Sequence, residues 1–154
     1  GRPLMPINSV DISLERYGCD AKQVFCIAAG SDCKILLQDL QSERHPDLSV
    51  YKTPPPKIEG GDVWPIWVPE LVIEVVSTSS ADRDYNEKPQ EYLQFGVSEY
   101  WIIDIEQQQM TVLQRTRGTW AAARNVKPRD TYSTHLLPGM DFNCQAVFDA
   151  AGTG

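Results

Sequence analysis

What the 154-residue chain lacks narrows its function first. Long hydrophobic runs are absent: stretches such as Leu71 to Ile73 or Val75 to Val76 fall far short of the roughly 18 residues a membrane helix needs. Positive charge is scarce. Fourteen Lys and Arg stand against 21 Asp and Glu, a net charge of −7 and a pI near 4.7, which speaks against a protein that coats nucleic acid by bulk electrostatics. A nuclease stays compatible, because its active site must itself concentrate carboxylates. Histidine is limited to His45 and His135, neither with a partner at ligand spacing. Of the cysteines, Cys19, Cys26 and Cys33 are seven apart, too far for a zinc knuckle, and Cys144 is remote. A cysteine among strand-like residues, as in Gln23-Val24-Phe25-Cys26-Ile27, reads as a small buried hydrophobe. Nothing requires an oxidising compartment and the opening Gly1-Arg2-Pro3-Leu4 has no signal-peptide pattern. A cytoplasmic protein with no membrane partner is expected.

What is present suits one globular domain spanning residues 1–154: 42% hydrophobic residues, with 4 Trp, 6 Tyr and 4 Phe to fill an interior. There is no internal repeat. The breaker-rich segment Thr53-Pro54-Pro55-Pro56-Lys57-Ile58-Glu59-Gly60-Gly61 reads as a loop inside the domain. Strands are expected at Asp11–Glu15, Gln23–Ala28, Lys34–Leu37, Leu48–Tyr51, Leu71–Val76, Tyr100–Asp104, Met110–Arg115 and, weakly, Thr119–Ala123. One clear helix runs from about Glu87 to Phe95, with Asn86 as N-cap, Pro89 in the first turn and Gly96 at the C-terminal cap. The segment Tyr100 to Leu113 reads as a hairpin, Leu136 to Met140 as a turn and Ala146–Ala150 as a last short helix over the core. This order predicts an α/β (α+β) domain with a mixed sheet.

The strand Leu71-Val72-Ile73-Glu74-Val75-Val76 is apolar on both faces, as in a central strand covered on each side, and Glu74 breaks the pattern. Desolvating that carboxylate is costly unless it is paired or holds a cation. Asp47, after Pro46, lies 27 residues earlier beside another strand. Two carboxylates from neighbouring strands, about 4.8 Å apart, can converge on one hard divalent cation such as Mg²⁺, and Val75 can add its main-chain carbonyl. An alternative stands beside this: Asp47 caps a turn and Glu74 pairs with an Arg or Lys.

Arg44-His45-Pro46-Asp47-Leu48-Ser49-Val50, Pro69-Glu70-Leu71-Val72-Ile73-Glu74-Val75-Val76-Ser77, the run Asp84 to Lys88, Gly96-Val97-Ser98-Glu99-Tyr100-Trp101-Ile102-Ile103-Asp104 and the late Leu137-Pro138-Gly139 together resemble the Uma-two family of restriction endonucleases, within the PD-(D/E)XK nuclease superfamily. The resemblance implies a restriction-endonuclease-like mixed central sheet flanked by helices. It implies a Mg²⁺-dependent endonuclease acting on DNA, with Asp47 as the first acidic motif and Glu74 as the second. The motif lysine two residues after Glu74 is replaced by Val76, and the family likeness assigns its function to a lysine on the next helix, here Lys88. The superfamily's acidic residue from an N-terminal helix has no counterpart that can be assigned, since residues 1 to 40 read mostly as strands. The alternative is a non-catalytic nuclease-fold module for nucleic-acid or protein interaction.

Helical geometry agrees with Lys88: it sits at the edge of the apolar stripe of Pro89, Tyr92, Leu93 and Phe95, with Glu87, Gln90 and Gln94 opposite. The competing structural role is a lysine snorkelling from the helix edge. Lys52 is placed on the other sheet face, and Glu70 is about 13 Å from Glu74 along the strand. Tyr100 and Trp101 are expected to pack. Arg115, Arg117, Arg124, Lys127 and Arg129, with no acid between them, suit either phosphate contacts or a solvated hairpin edge. Crowded without metal, the two acids are expected to have raised pKa values. Cutting both strands of a duplex would call for two sites, hence a homodimer.

Overall fold

The computed structural model describes residues 26–29, 35–37, 42–44, 46–61, 63, 65–76 and 80–152 of the chain. The strand expected at Asp11–Glu15, the expected N-terminal part of the chain up to Phe25, and Cys19, Cys33 and His45 lie outside these residues. Seven described strands form one sheet: β1 (Cys26–Ala29), β4 (Leu48–Tyr51), β5 (Leu71–Val76), β6 (Glu99–Asp104), β7 (Gln109–Thr116) and β8 (Thr119–Trp120) in that order, with β9 (Arg124–Val126) also on β7. Two ribbons stand apart, β2 (Ile35–Leu37) with β3 (Ser42–Arg44), and β10 (Thr131–Ser133) with β11 (Asp141–Asn143). The sheet is mixed as expected: β5 runs antiparallel to β4 and parallel to β6, and β6 pairs antiparallel with β7.

The branched residues of β5 suit a pleat buried on both sides. Leu71 and Ile73 join Leu48, Val50, Trp101, Ile103 and Val112 in one core layer, closed by Phe142, Val147 and Phe148 from the C-terminal elements. Val72 and Val76 face the other layer, with Tyr51, Trp67, Tyr92, Tyr100 and Ile102. That second layer is roofed by helix α1 (Lys88–Phe95), which follows directly on a π-helical segment, Arg83–Glu87.

Several boundaries move. The helix begins upstream of Glu87, so Asn86 is no N-cap: it lies inside the helical run and its Nδ2 donates to Asp82 Oδ1 at 2.8 Å. Pro89 falls in the first turn of α1 as expected, and the π-helical segment leads directly into that turn. Lys88 N–H bonds to Arg83 O, the next N–H in that register is missing at Pro89, and the carbonyl it would have reached, Asp84 O, accepts the Tyr100 hydroxyl at 2.9 Å instead. Gly96 ends the helix as expected, in the left-handed conformation at φ 111°. The strand expected over Thr119–Ala123 stops at Trp120, and the last helix, α2, runs over Cys144–Gly152 rather than Ala146–Ala150. The turn over Leu136 to Met140 and the hairpin of β6 and β7 are present. Among the described residues no helix is long and apolar enough to cross a membrane.

A fully buried carboxylate, Glu99, ties the first core layer to the C-terminal elements. It accepts Trp101 Nε1 at 2.5 Å, Thr134 Oγ1 at 2.7 Å, Tyr132 hydroxyl at 3.0 Å and Gln114 Nε2 at 3.0 Å. Removing it leaves the Trp101, Tyr132 and Thr134 donors without this acceptor, while Gln114 Nε2 keeps the Tyr132 hydroxyl at 3.2 Å. Glu99→Ala is therefore expected to cost about 3 kcal/mol, read as a lowered midpoint of urea unfolding with the slope unchanged.

Candidate active site

Asp47 and Glu74 occupy the place where the pairing of β4 with β5 ends. The last backbone pair is Leu48 with Ile73, and Pro46 has no N–H to carry the ladder on. Side chains take over. Asp47 N–H donates to Glu74 Oε1 at 2.8 Å, and Val75 N–H donates to Asp47 Oδ2 at 2.7 Å. Each carboxylate thus satisfies the other strand's backbone and is held in place by it. Alternation along β4 and β5 turns both side chains toward the layer roofed by α1.

Lys88, first residue of α1, reaches down to that pair. Its Nζ is hydrogen-bonded to Glu74 Oε2 and lies 2.6 Å from Asp84 Oδ1 one turn earlier. The helix is fixed from three sides. Tyr100 holds Asp84 O, Trp120 Nε1 donates to Pro89 O at 2.7 Å, and Arg115 donates to Leu93 O through Nη2 and to Val97 O through Nε at 3.0 Å. Asp47, Glu74 and Lys88 therefore meet, and the contact satisfies both sequence readings at once: Glu74 is paired with a lysine, and that lysine is the one on the next helix. Asp47 does not cap a local turn; its bond crosses to β5.

Glu74 is almost wholly buried, at 3% exposure, and burial pushes its pKa from 4.5 up to about 7 despite the neighbouring Lys88. Asp47 is also raised, first by burial, against the pull of the Val75 N–H and Lys88. The direction is the expected one, but desolvation rather than mutual crowding is the main cause. For Lys88, burial pulls the ammonium down, and Glu74 and Asp84 outweigh it, so the net shift is upward.

Among the described residues no cluster of three His, Cys, Asp or Glu side chains is arranged to hold a metal ion. Mg²⁺ does not demand one: it keeps several waters and takes one or two carboxylates from a protein. The donor set fits it in kind, being oxygen only, and in charge. Asp47, Glu74 and Asp84 against Lys88 leave a formal −2 when all are ionised, the complement of one divalent cation.

Other residues are placed elsewhere. Lys52 Nζ donates to Leu136 O at 2.5 Å, on the opposite sheet face, and Glu70 Oε2 accepts Ser98 Oγ at 3.1 Å. Tyr100 and Trp101 pack, edge to face on Tyr92 and Tyr132. Of the basic stretch, Arg115 is spent on the end of α1, and Arg124 lies over the Tyr132 ring, toward the core layer away from Glu74. His135 is exposed in the turn after β10. Sequence reading gave no role to Asp84, Ser80 or Trp120. Only the first had a legible signal, its four-residue spacing from Lys88.

Comparisons with known proteins bear on the family and the fold. The Uma2 family model, described as "Putative restriction endonuclease", matches residues 12–145, so the likeness extends well into the N-terminal residues where little had been legible. A crystal structure described as a "putative nuclease belonging to DUF820" from Anabaena variabilis ATCC 29413 is similar with a TM-score of 0.71 and 16% identity, over 94% of this chain and 79% of that one. No curated protein matches the chain. A mixed sheet with helix α1 over its paired acids, the same fold as that solved structure, and a family match across most of its length lead to one conclusion: the chain belongs to the Uma2 family.

Proposed function

We propose that the chain is a Mg²⁺-dependent endonuclease that hydrolyses phosphodiester bonds in DNA. The observation that carries this reading is the convergence of two strand-borne carboxylates and one helix-borne ammonium on a single sheet face. DNA as the substrate rests on the family's description as a restriction endonuclease. In this reading Asp47 and Glu74, with the Val75 carbonyl, hold the cation. The bound cation supplies Lewis-acid charge, acidifying a water and offsetting the charge on the phosphate. Asp47 and Glu74 fix the geometry, because their reciprocal backbone bonds leave neither carboxylate free to rotate away. Lys88 orients the attacking water or stabilises the negative charge that develops on the phosphoryl oxygens. Val76 in place of the motif lysine does not argue for an inert module, since Lys88 brings an ammonium to the same carboxylate. Cleavage of both strands would be served by a symmetric pair of chains.

On supercoiled plasmid with Mg²⁺, the parent protein is expected to nick or linearise the DNA and to lose that activity on chelation. Glu74→Ala is expected at background, and Lys88→Met to slow the reaction on the order of 10²–10³-fold. A Glu74→Ala variant that cuts as well as the parent would overturn the assignment.

The raised pKa of Glu74 also predicts a linkage that needs no substrate. Because the folded state holds the Glu74 proton more tightly than the unfolded state does, its contribution to stability is present below about pH 4.5 and is lost as pH rises through about 7. Above that the metal-free protein forfeits about 3 kcal/mol relative to a neutral isostere. Parent and Glu74→Gln are therefore expected to have diverging melting temperatures between about pH 5 and 8, the parent falling, and Mg²⁺ is expected to restore the parent alone.

A further inference from the structure

We propose that Asp84 is a positioning residue: it gives the Lys88 ammonium a second carboxylate to keep when Glu74 turns to a divalent cation. This rests on the reading of Asp47 and Glu74 as cation ligands. As the site stands, both Glu74 oxygens are engaged, Oε1 by Asp47 N–H and Oε2 by Lys88. A cation that takes Oε2 meets the Lys88 ammonium already on that oxygen. If Glu74 were the ammonium's one counter-ion, that encounter would strand a half-buried positive charge beside an incoming dication.

Asp84 removes the obstacle. It is 1% exposed, and a carboxylate so deeply buried is disfavoured unless it is paired. Its Oδ1 lies 2.6 Å from Lys88 Nζ and its Oδ2 accepts Ser80 Oγ at 2.9 Å. Its main chain is held separately, by the Tyr100 hydroxyl on the carbonyl that Pro89 leaves without an N–H. The carboxylate thus has a fixed position beneath Lys88, set by the π-helical segment and independent of Glu74. Lys88 can loosen from Glu74 and stay charged, paired and aimed at the same sheet face. The Asp84 carboxylate is paired with Lys88 and Ser80, and its charge also reaches Asp47, so an effect carried by Lys88 must be separated from a direct one.

The test is Mn²⁺ binding by titration calorimetry to four proteins: parent, Asp84→Asn, Lys88→Met and the double variant. Asp84→Asn is expected to weaken binding about tenfold, as loss of a group supporting a metal site does. Lys88→Met should not weaken it. In the Lys88→Met background the added Asp84→Asn change should matter by no more than about twofold, the limit for sites that do not interact. An unchanged affinity in Asp84→Asn, or the same loss in both backgrounds, overturns the proposal, the second result making Asp84 an independent charge or a ligand. A parent that binds no Mn²⁺ overturns the cation site itself and this inference with it, whereas binding without coupling overturns the inference alone. Should Asp84→Asn not fold, Ser80→Ala, which removes the Oδ2 partner, is expected to lower affinity by a smaller factor that again vanishes with Lys88→Met; a factor that persists refutes it.

Discussion

The reciprocal clasp between Asp47 and Glu74 is the interaction on which the arrangement of the site depends. Each carboxylate takes a backbone N–H that the strand ladder cannot satisfy beyond Leu48 and Ile73. A buried N–H without a partner costs about as much as a lost hydrogen bond, so the end of the ladder and the chemistry of the acids are one feature. The same bonds that close the sheet edge remove the rotational freedom of both side chains. What remains is the cost of burying the two carboxylates, and their raised pKa values express it.

Around that clasp, much of the chain serves to place one lysine. The π-helical segment leads into α1, Pro89 in the first turn has no N–H to offer, and Tyr100 fills the carbonyl left open. Trp120 and Arg115, from the β7 and β8 hairpin, grip the carbonyls of Pro89 and Leu93. Arg115 so becomes part of the helix support rather than of a phosphate-binding surface. A positive side chain at the carbonyl end of a helix is favourable on its own account. The charge of −7 remains an average over unlike regions: 18 of the 21 acids lie between Asp11 and Glu106, and the stretch Arg115 to Arg129 holds none.

Legible from the residues alone were the central strands Leu48–Tyr51 and Leu71–Val76, the mixed sheet, the C-terminal end of α1 and Asp47, Glu74 and Lys88 as residues worth attention. The reason is that these signals are local or periodic: a branched run with one acid in it, a glycine at a helix end, a lysine at the edge of an apolar stripe. Tertiary structure alone decided the rest. The π-helical segment before α1 has its Asp84 carbonyl satisfied by Tyr100, 16 residues away, and no helical period contains that distance. Glu99, read as part of a motif, became a buried acceptor because Tyr132 and Thr134 return to it from more than 30 residues away. Asp84 had only its spacing from Lys88 to mark it, since burial and a partner on each oxygen are properties of packing. Residue types set which charges exist in this chain; only the fold, by excluding water from them, decided which of those charges must answer one another.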